Sequence, residues 1–453
     1  MTTERVEEKV RETLHAVALD QVRAPGDLAE QVVRRRGRRR ISQVTGAAVA
    51  VAAITVGALF GFGDTGGSDQ DRPVRPAMSP QGWQPWQQDV AGAGERGCLV
   101  AGPALYCAGS KYDAAKFDAN TGERLWTVKV NREGDGPDHP FAARDGVVYA
   151  YRNHTAKNEP SGDYRGGTDL MAMDADDGEV LWTVEMPQDD RTDQAAMLID
   201  GAVLANTPDI RTMSALDPLT GKEKWRHSWD KGIACQRAVL GGVPHLACLR
   251  DVEKPHDTKI FRLDPKDGSA VKVATLPGGQ QLVGTSGDRM VLTEARAAGS
   301  SEDLRLTIVS SSGKRASHSY PVPGKLAASD VVGDRLFTLT WEGKASAYSL
   351  TTGKTLWKGR PVGAEMPEEG IVPGIPSPVV SAGQAVVYFL GLNGDLSGLD
   401  LTTGKRVWSG HVDTAKQAEG PGFQDSTQLL AYEDVLVARS GSKIVTLLPQ
   451  AGD

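Results

Sequence analysis

Asp174-Ala175-Asp176-Asp177-Gly178 puts three carboxylates into five positions, a density that oxygen-coordinating calcium loops use. Thr351-Thr352-Gly353-Lys354-Thr355 carries the Gly-Lys-Thr tail of a phosphate-binding loop. Both fail on their surroundings. The first aligns with a turn phrase that recurs along the chain. The second has Tyr348 where the loop's first glycine belongs, and no helical pattern comes after it. The eight histidines have no metal-ligand spacing, and neither a G-x-S-x-G elbow nor an H-E-x-x-H motif occurs. The sequence thus assigns no catalytic residue and no metal ligand.

The four cysteines carry the clearest covalent chemistry. Cys98 and Cys107 lie symmetrically about Gly102-Pro103, and Cys235 and Cys248 about Gly241-Gly242. Both centres read as two-residue hairpin loops. The pair flanking such a loop is hydrogen-bonded, and pair types alternate outward from it. Cys98–Cys107 is three steps out and Cys235–Cys248 is five, so both fall on non-hydrogen-bonded sites. There Cα atoms approach to about 4.5 Å, within disulfide reach. Two disulfides in an oxidising compartment are expected.

The elements that must hold these residues are written in one repeated phrase. DANTGERLW ends at Trp126, DADDGEVLW at Trp182, DPLTGKEKW at Trp225, SLTTGKTLW at Trp357 and DLTTGKRVW at Trp408. DPKDGSAVK (264–272) and VSSSGKRAS (309–317) keep the glycine and lose the tryptophan. The glycines recur at intervals from 40 residues (Gly313 to Gly353) to 56 (Gly122 to Gly178). Such a period means a propeller or a solenoid.

Within one unit, residues 170–173 and 180–184 alternate apolar and small or polar side chains around the Asp174–Gly178 turn. That is a hairpin whose glycine supplies a positive φ. Two further strands, around 141–143 and 147–151, precede it and join at Arg144-Asp145-Gly146. Four antiparallel strands per unit predict an all-β propeller. Trp126, Trp182, Trp225, Trp357 and Trp408 are expected to wedge against the next blade, burying roughly 150–250 Å² each. Seven phrases plus three C-terminal strands predict eight blades. The last is completed by an N-terminal strand around Trp83–Gln87, with Trp86 in the docking position. Closure by both ends of the chain removes exposed sheet edges.

The Asp-x-x-Thr-Gly-x-x-x-Trp phrase resembles the PQQ-like (pyrroloquinoline-quinone enzyme) β-propeller repeat, over about residues 83–449. The resemblance implies a propeller fold. It spans quinoprotein dehydrogenases, outer-membrane assembly lipoproteins and anchored bacterial propellers without a cofactor. Quinoprotein dehydrogenases carry adjacent cysteines over the cofactor and a calcium site built from long insertions. This chain has no adjacent cysteines and short blades. It therefore resembles the assembly propellers more, and no PQQ cofactor is expected.

Loop lengths differ by face. The first-to-second and third-to-fourth strand turns share one face and are tight. The opposite face carries the long segments 131–139, 153–168, 187–194, 250–258, 294–303, 359–375 and 413–425. Acidic clusters stand there: Glu133, Asp135 and Asp138; Asp189, Asp190 and Asp193; Glu365, Glu368 and Glu369. Long loops on a rigid scaffold are where binding concentrates. Asp189, Asp190, Glu368 and Glu369 are the candidate binding-face residues; solvated loops are the plainer reading.

Residues 1–40 form a helical, net basic segment ending in RRRGRRR, expected to be cytoplasmic. Next comes Ile41–Phe62, 22 residues without a charge. As a helix it spans roughly 33 Å, enough for a bilayer core. The positive-inside rule keeps the N-terminus cytoplasmic and exports the chain beyond the helix. A cleaved signal peptide would need a 40-residue n-region and a small-residue cleavage site, and there is no A-x-A after the apolar run. Gly57-x-x-x-Gly61 offers a weak anchor dimer. Residues 63–82 read as a flexible linker, 83–449 as the propeller and 450–453 as a tail.

The chain carries a net charge of −7, and the basic segment makes the exported part more acidic still. That argues against a nucleic-acid partner. The expectation is a non-catalytic propeller at the plasma membrane, single-pass and facing out. It would bind an envelope protein or a small ligand as a scaffold or sensor. A PQQ-dependent oxidoreductase is the alternative.

Overall fold

The structure is a computed structural model. It describes residues 74–450, except 95, 130–138, 155–166, 188–195, 251–256, 295–303, 323, 364–374, 382 and 414–426. The expected cytoplasmic segment, the anchor helix Ile41–Phe62, most of the linker and all three acidic clusters lie outside the described residues. Among the described residues no helix is long and apolar enough to cross a membrane.

Thirty-two strands form eight four-stranded antiparallel sheets. Seven blades run in chain order from the inside outward, over residues 97–129, 142–186, 196–228, 233–276, 280–320, 326–359 and 379–411. The eighth combines Thr427–Tyr432, Val435–Ser440 and Lys443–Leu447 with Gln87–Asp89 from the other end of the chain. Gln87 faces Val445, and Asp89 faces Lys443. This closing strand starts later than the expected Trp83–Gln87. Pro85 has no N–H to give to a ladder, and Gln84 N donates instead to Asn120 O of blade 1. Trp86 still joins the third strand, because Thr446 N donates to Trp86 O at 2.9 Å.

Middle strands are packed on both faces, so burial runs through them continuously rather than at alternate residues. Ala202–Asn206 and Thr212–Leu216 are buried throughout. The outer strand Glu223–Ser228 meets a neighbour on one side only, and Trp225 is its one buried residue. The core therefore lies between blades. Tyr149, Leu170, Ala172 and Trp182 of blade 2 pack with Ala196, Val203, Ala205 and Leu216 of blade 3.

Both disulfides form in the expected registers. Cys98 faces Cys107 and Cys235 faces Cys248, each with Cα atoms 4.0 Å apart. They tie the first two strands of blades 1 and 4.

Candidate functional site

The repeat phrase builds the seams between blades. Its acid caps its own turn: Asp118 Oδ1 accepts from Asn120 N at 2.7 Å, and Asp400 Oδ1 from Thr403 N at 2.6 Å. Asp174 does the same for Asp176 N, so DADDG is an ordinary turn here. No cluster of potential metal ligands occurs among the described residues.

Five of the six docking indoles donate to the carbonyl just after the next blade's acid. Trp86 reaches Ala119 O (2.9 Å), Trp126 Ala175 O (3.2 Å), Trp182 Pro218 O (3.0 Å), Trp225 Pro265 O (2.8 Å) and Trp357 Leu401 O (3.0 Å). The rings lie on Gly122, Gly178, Gly221, Gly268 and Gly404 respectively. Trp408 faces blade 8, which has no copy of the phrase; it is buried edge-on to Tyr388, 5.9 Å between centroids.

Two seams differ. Blade 4 sets the backbone carbonyl of Val273 over Gly313, and blade 5 sets the His318 ring over Gly353. His318 stands one position later than a tryptophan would. The blade 5 turn closes one residue early, with Gly313 N bonded to Ser310 O, whereas Gly178 N bonds to Asp174 O. Counting on from the glycine by the other repeats' spacing therefore lands on Ser317 and misses it.

Ionic clamps cross the same seams on the tight-turn face. Arg144 of blade 2 pairs with Asp200 of blade 3 at 3.2 Å, and Arg289 of blade 5 with Asp334 of blade 6 at 2.8 Å. Burial opposes ionisation of Asp334. Hydrogen bonds from Thr351, Arg289 and Ser349 win and hold its carboxyl below the usual range. Ser381 of blade 7 donates to Asp434 of blade 8 at 2.8 Å. The short turns are thus structural fasteners.

Both ends of the described chain also lie on this face. Arg75 N donates to Gln384 O (3.2 Å) and Met78 N to Asp434 Oδ2 (2.9 Å). Gln384 Nε2 donates to Pro449 O at 3.2 Å. The opposite face takes the strand ends that flank all the long segments. Its second-to-third turns in blades 1, 6, 7 and 8 are nonetheless short, joining Ala108 to Tyr112, Thr340 to Ala345, Leu390 to Asp395 and Ser440 to Lys443. That face also holds a cavity of about 630 Å³ between blades 6 and 7, lined by Arg360, Asp395, Arg406 and His411 among others. The candidate residues Asp189, Asp190, Glu368 and Glu369 belong to segments of this face outside the described residues.

An eight-bladed ring whose indoles dock on the glycine turns of the next blades defines a β-propeller of the PQQ-like class. The chain belongs to the family described as outer membrane protein assembly factor BamB, which it matches over residues 74–232, 110–316 and 303–453. Among solved structures it is similar to the computationally designed Ika8 protein, at 14% identity over 80% of this chain and 98% of that one, with a TM-score of 0.51. BamB from Moraxella catarrhalis is 15% identical over 82% of this chain and 97% of that one, with a TM-score of 0.49. A eukaryotic initiation factor is 10% identical over 80% and 84%, with a TM-score of 0.47. No curated protein matches the chain. At these identities the structural likeness concerns the fold alone.

Proposed function

We propose that this chain is a non-catalytic, membrane-anchored propeller whose long-loop face docks a protein partner outside the cytoplasm. The observation that carries the reading is the division of labour between the faces. The tight-turn face is occupied by clamps and by both ends of the described chain. The other face takes neither of those ends and receives the long segments. The family description names an assembly factor, which suits a scaffold that holds other proteins. Export is supported by RRRGRRR before 22 uncharged residues and by two intrablade disulfides.

Site-specific photo-crosslinking in intact cells tests this. Probes at Asp189 and Glu368 on the long-loop face should capture a discrete protein adduct. Probes at Asp176 and Asp288, exposed on the tight-turn face, should not. Adducts from the second pair alone would reverse the face. Tags at residue 1 and residue 453 should be protected and accessible, respectively, in spheroplasts.

A further inference from the structure

The cavity between blades 6 and 7 is built differently from the rest of the surface. One wall is residues 360–363, which leave the outer strand Thr355–Gly359 of blade 6 and cross onto blade 7. Three bonds fix that wall. Ser397 Oγ donates to Pro361 O at 2.6 Å, and Arg406 Nη2 donates to Arg360 O at 2.9 Å and to Pro361 O at 3.2 Å. Val362 is buried behind it. The guanidinium of Arg406 is thereby held in place by one amino group, which leaves its other N–H donors for a ligand.

Charge is the second unusual feature. Among the described residues Asp395 is the one carboxylate lining the cavity, and it is engaged already. His411 Nδ1 lies 3.0 Å from its Oδ1, and Asn393 Nδ2 donates to its Oδ2 at 2.7 Å. The His411 hydrogen bond, then that of Asn393, holds the Asp395 carboxyl below the usual range. Neither Arg360 nor Arg406 has a carboxylate within ion-pairing distance among the described residues. Elsewhere on the ring Arg144, Arg152, Arg226, Arg289 and Arg305 each meet one, whereas Arg211, Arg262 and Arg315 meet none among the described residues. Arg360 and Arg406 thus both line one cavity, with a single, already engaged acid among its described lining residues. In a chain of net charge −7 the described lining thus carries two arginines to one carboxylate, with room for a small molecule.

We infer that this cavity binds a small oxyanion, a carboxylate or phosphate group, between the guanidiniums of Arg360 and Arg406, with His411 at its rim. A planar guanidinium matches either group bidentately, and a pre-positioned one loses less freedom on binding. Ser397 and Ser409 add polar lining. The site lies on the long-loop face, and its assignment does not rest on protein docking there.

Calorimetric titration of the purified full chain in detergent at low salt tests the assignment. The probes are citrate for the carboxylate and inorganic phosphate for the phosphate, with sodium chloride at matched ionic strength as the blank. At least one probe should bind saturably. Arg360→Ala should weaken it at least about tenfold, as expected for loss of a charge-assisted contact. The Arg360 side chain makes no described hydrogen bond, and its carbonyl is kept in alanine, so this variant keeps its fold. Arg406→Gln should weaken binding similarly, with the melting temperature measured alongside to detect a loosened wall. Arg315→Ala, on blade 5, should leave affinity unchanged. Absence of saturable heat with both probes, or equal affinity in Arg360→Ala and Arg315→Ala, would overturn the assignment. Neither result depends on whether a protein partner is found.

Discussion

The ring of Trp182 lies 2.8 Å from where a Cβ on Gly221 would sit, while its indole N–H donates to Pro218 O three residues earlier. One contact thus explains two positions of the repeat. Gly221 has φ +66°, which an L side chain rarely adopts, and the space above it is filled by the previous blade's indole. The tryptophan in turn satisfies its single donor on a carbonyl that the turn leaves free. The acid, the glycine and the tryptophan that docks on them are one joint, spread over two blades.

Removing the indole should open a cavity at the seam. Trp182→Ala is expected to cost about 3–5 kcal/mol in urea unfolding. Gly221→Ala should also destabilise, and by more than Gly201→Ala. Both glycines have positive φ, but only Gly221 faces a ring; the space at Gly201 is open. His318→Ala should cost less than Trp182→Ala, because a smaller ring leaves less area. Hydrogen exchange should be fastest along the seams of blade 5, which lack an indole on both sides. Equal losses for Gly221→Ala and Gly201→Ala would refute the joint.

Each disulfide closes a short loop within a hairpin. Chain entropy gives roughly 2.5–3 kcal/mol apiece, and less where the hairpin persists in the unfolded chain. Cys98→Ser/Cys107→Ser should lower stability within that bound. Non-reducing peptide mapping should find Cys98 joined to Cys107 and Cys235 to Cys248. A Cys98–Cys235 peptide would contradict the register.

Asp330 sits on the innermost strand of blade 6, Leu326–Val332, where burial pushes its carboxyl up to about 6. Its one described side-chain bond is from Val331 N, at 2.8 Å. A carboxyl raised on folding favours the fold while protonated. Its contribution is complete below the unfolded value near 3.8 and is lost as pH rises through about 6. Asp330→Asn should therefore stabilise the propeller by about 1–3 kcal/mol at pH 7.5 and by nothing measurable at about pH 3, below the unfolded value. A gain that is the same at both pH values would remove burial of the charge as its cause.

The ring was legible from sequence because its determinants are local. The D-x-x-x-G turn, the alternation around it and the two-residue loops between cysteines each act within about a dozen residues. Hairpin parity sufficed to place Cys98 opposite Cys107 and Cys235 opposite Cys248. The strand from the N-terminal end was legible too, since a blade short of one strand demands it. What the sequence could not locate lies between blades. Arg360 is the outlying residue of blade 6, and Asp395, Arg406 and His411 belong to blade 7. Asp395 and His411 face each other within one hairpin of blade 7, and Arg360 joins them only where the connection from blade 6 crosses that blade. The substitution of His318 for an indole was hidden by a turn one residue shorter. Asp200 and Asp334 both stand in two-residue turns that local sequence does not tell apart, and the seam sets Arg144 and Arg289 against them. Hydrogen bonding and side-chain alternation along a strand are written in neighbouring residues. Contacts across a seam are set by the twist and packing of whole blades, and only the tertiary structure fixes them.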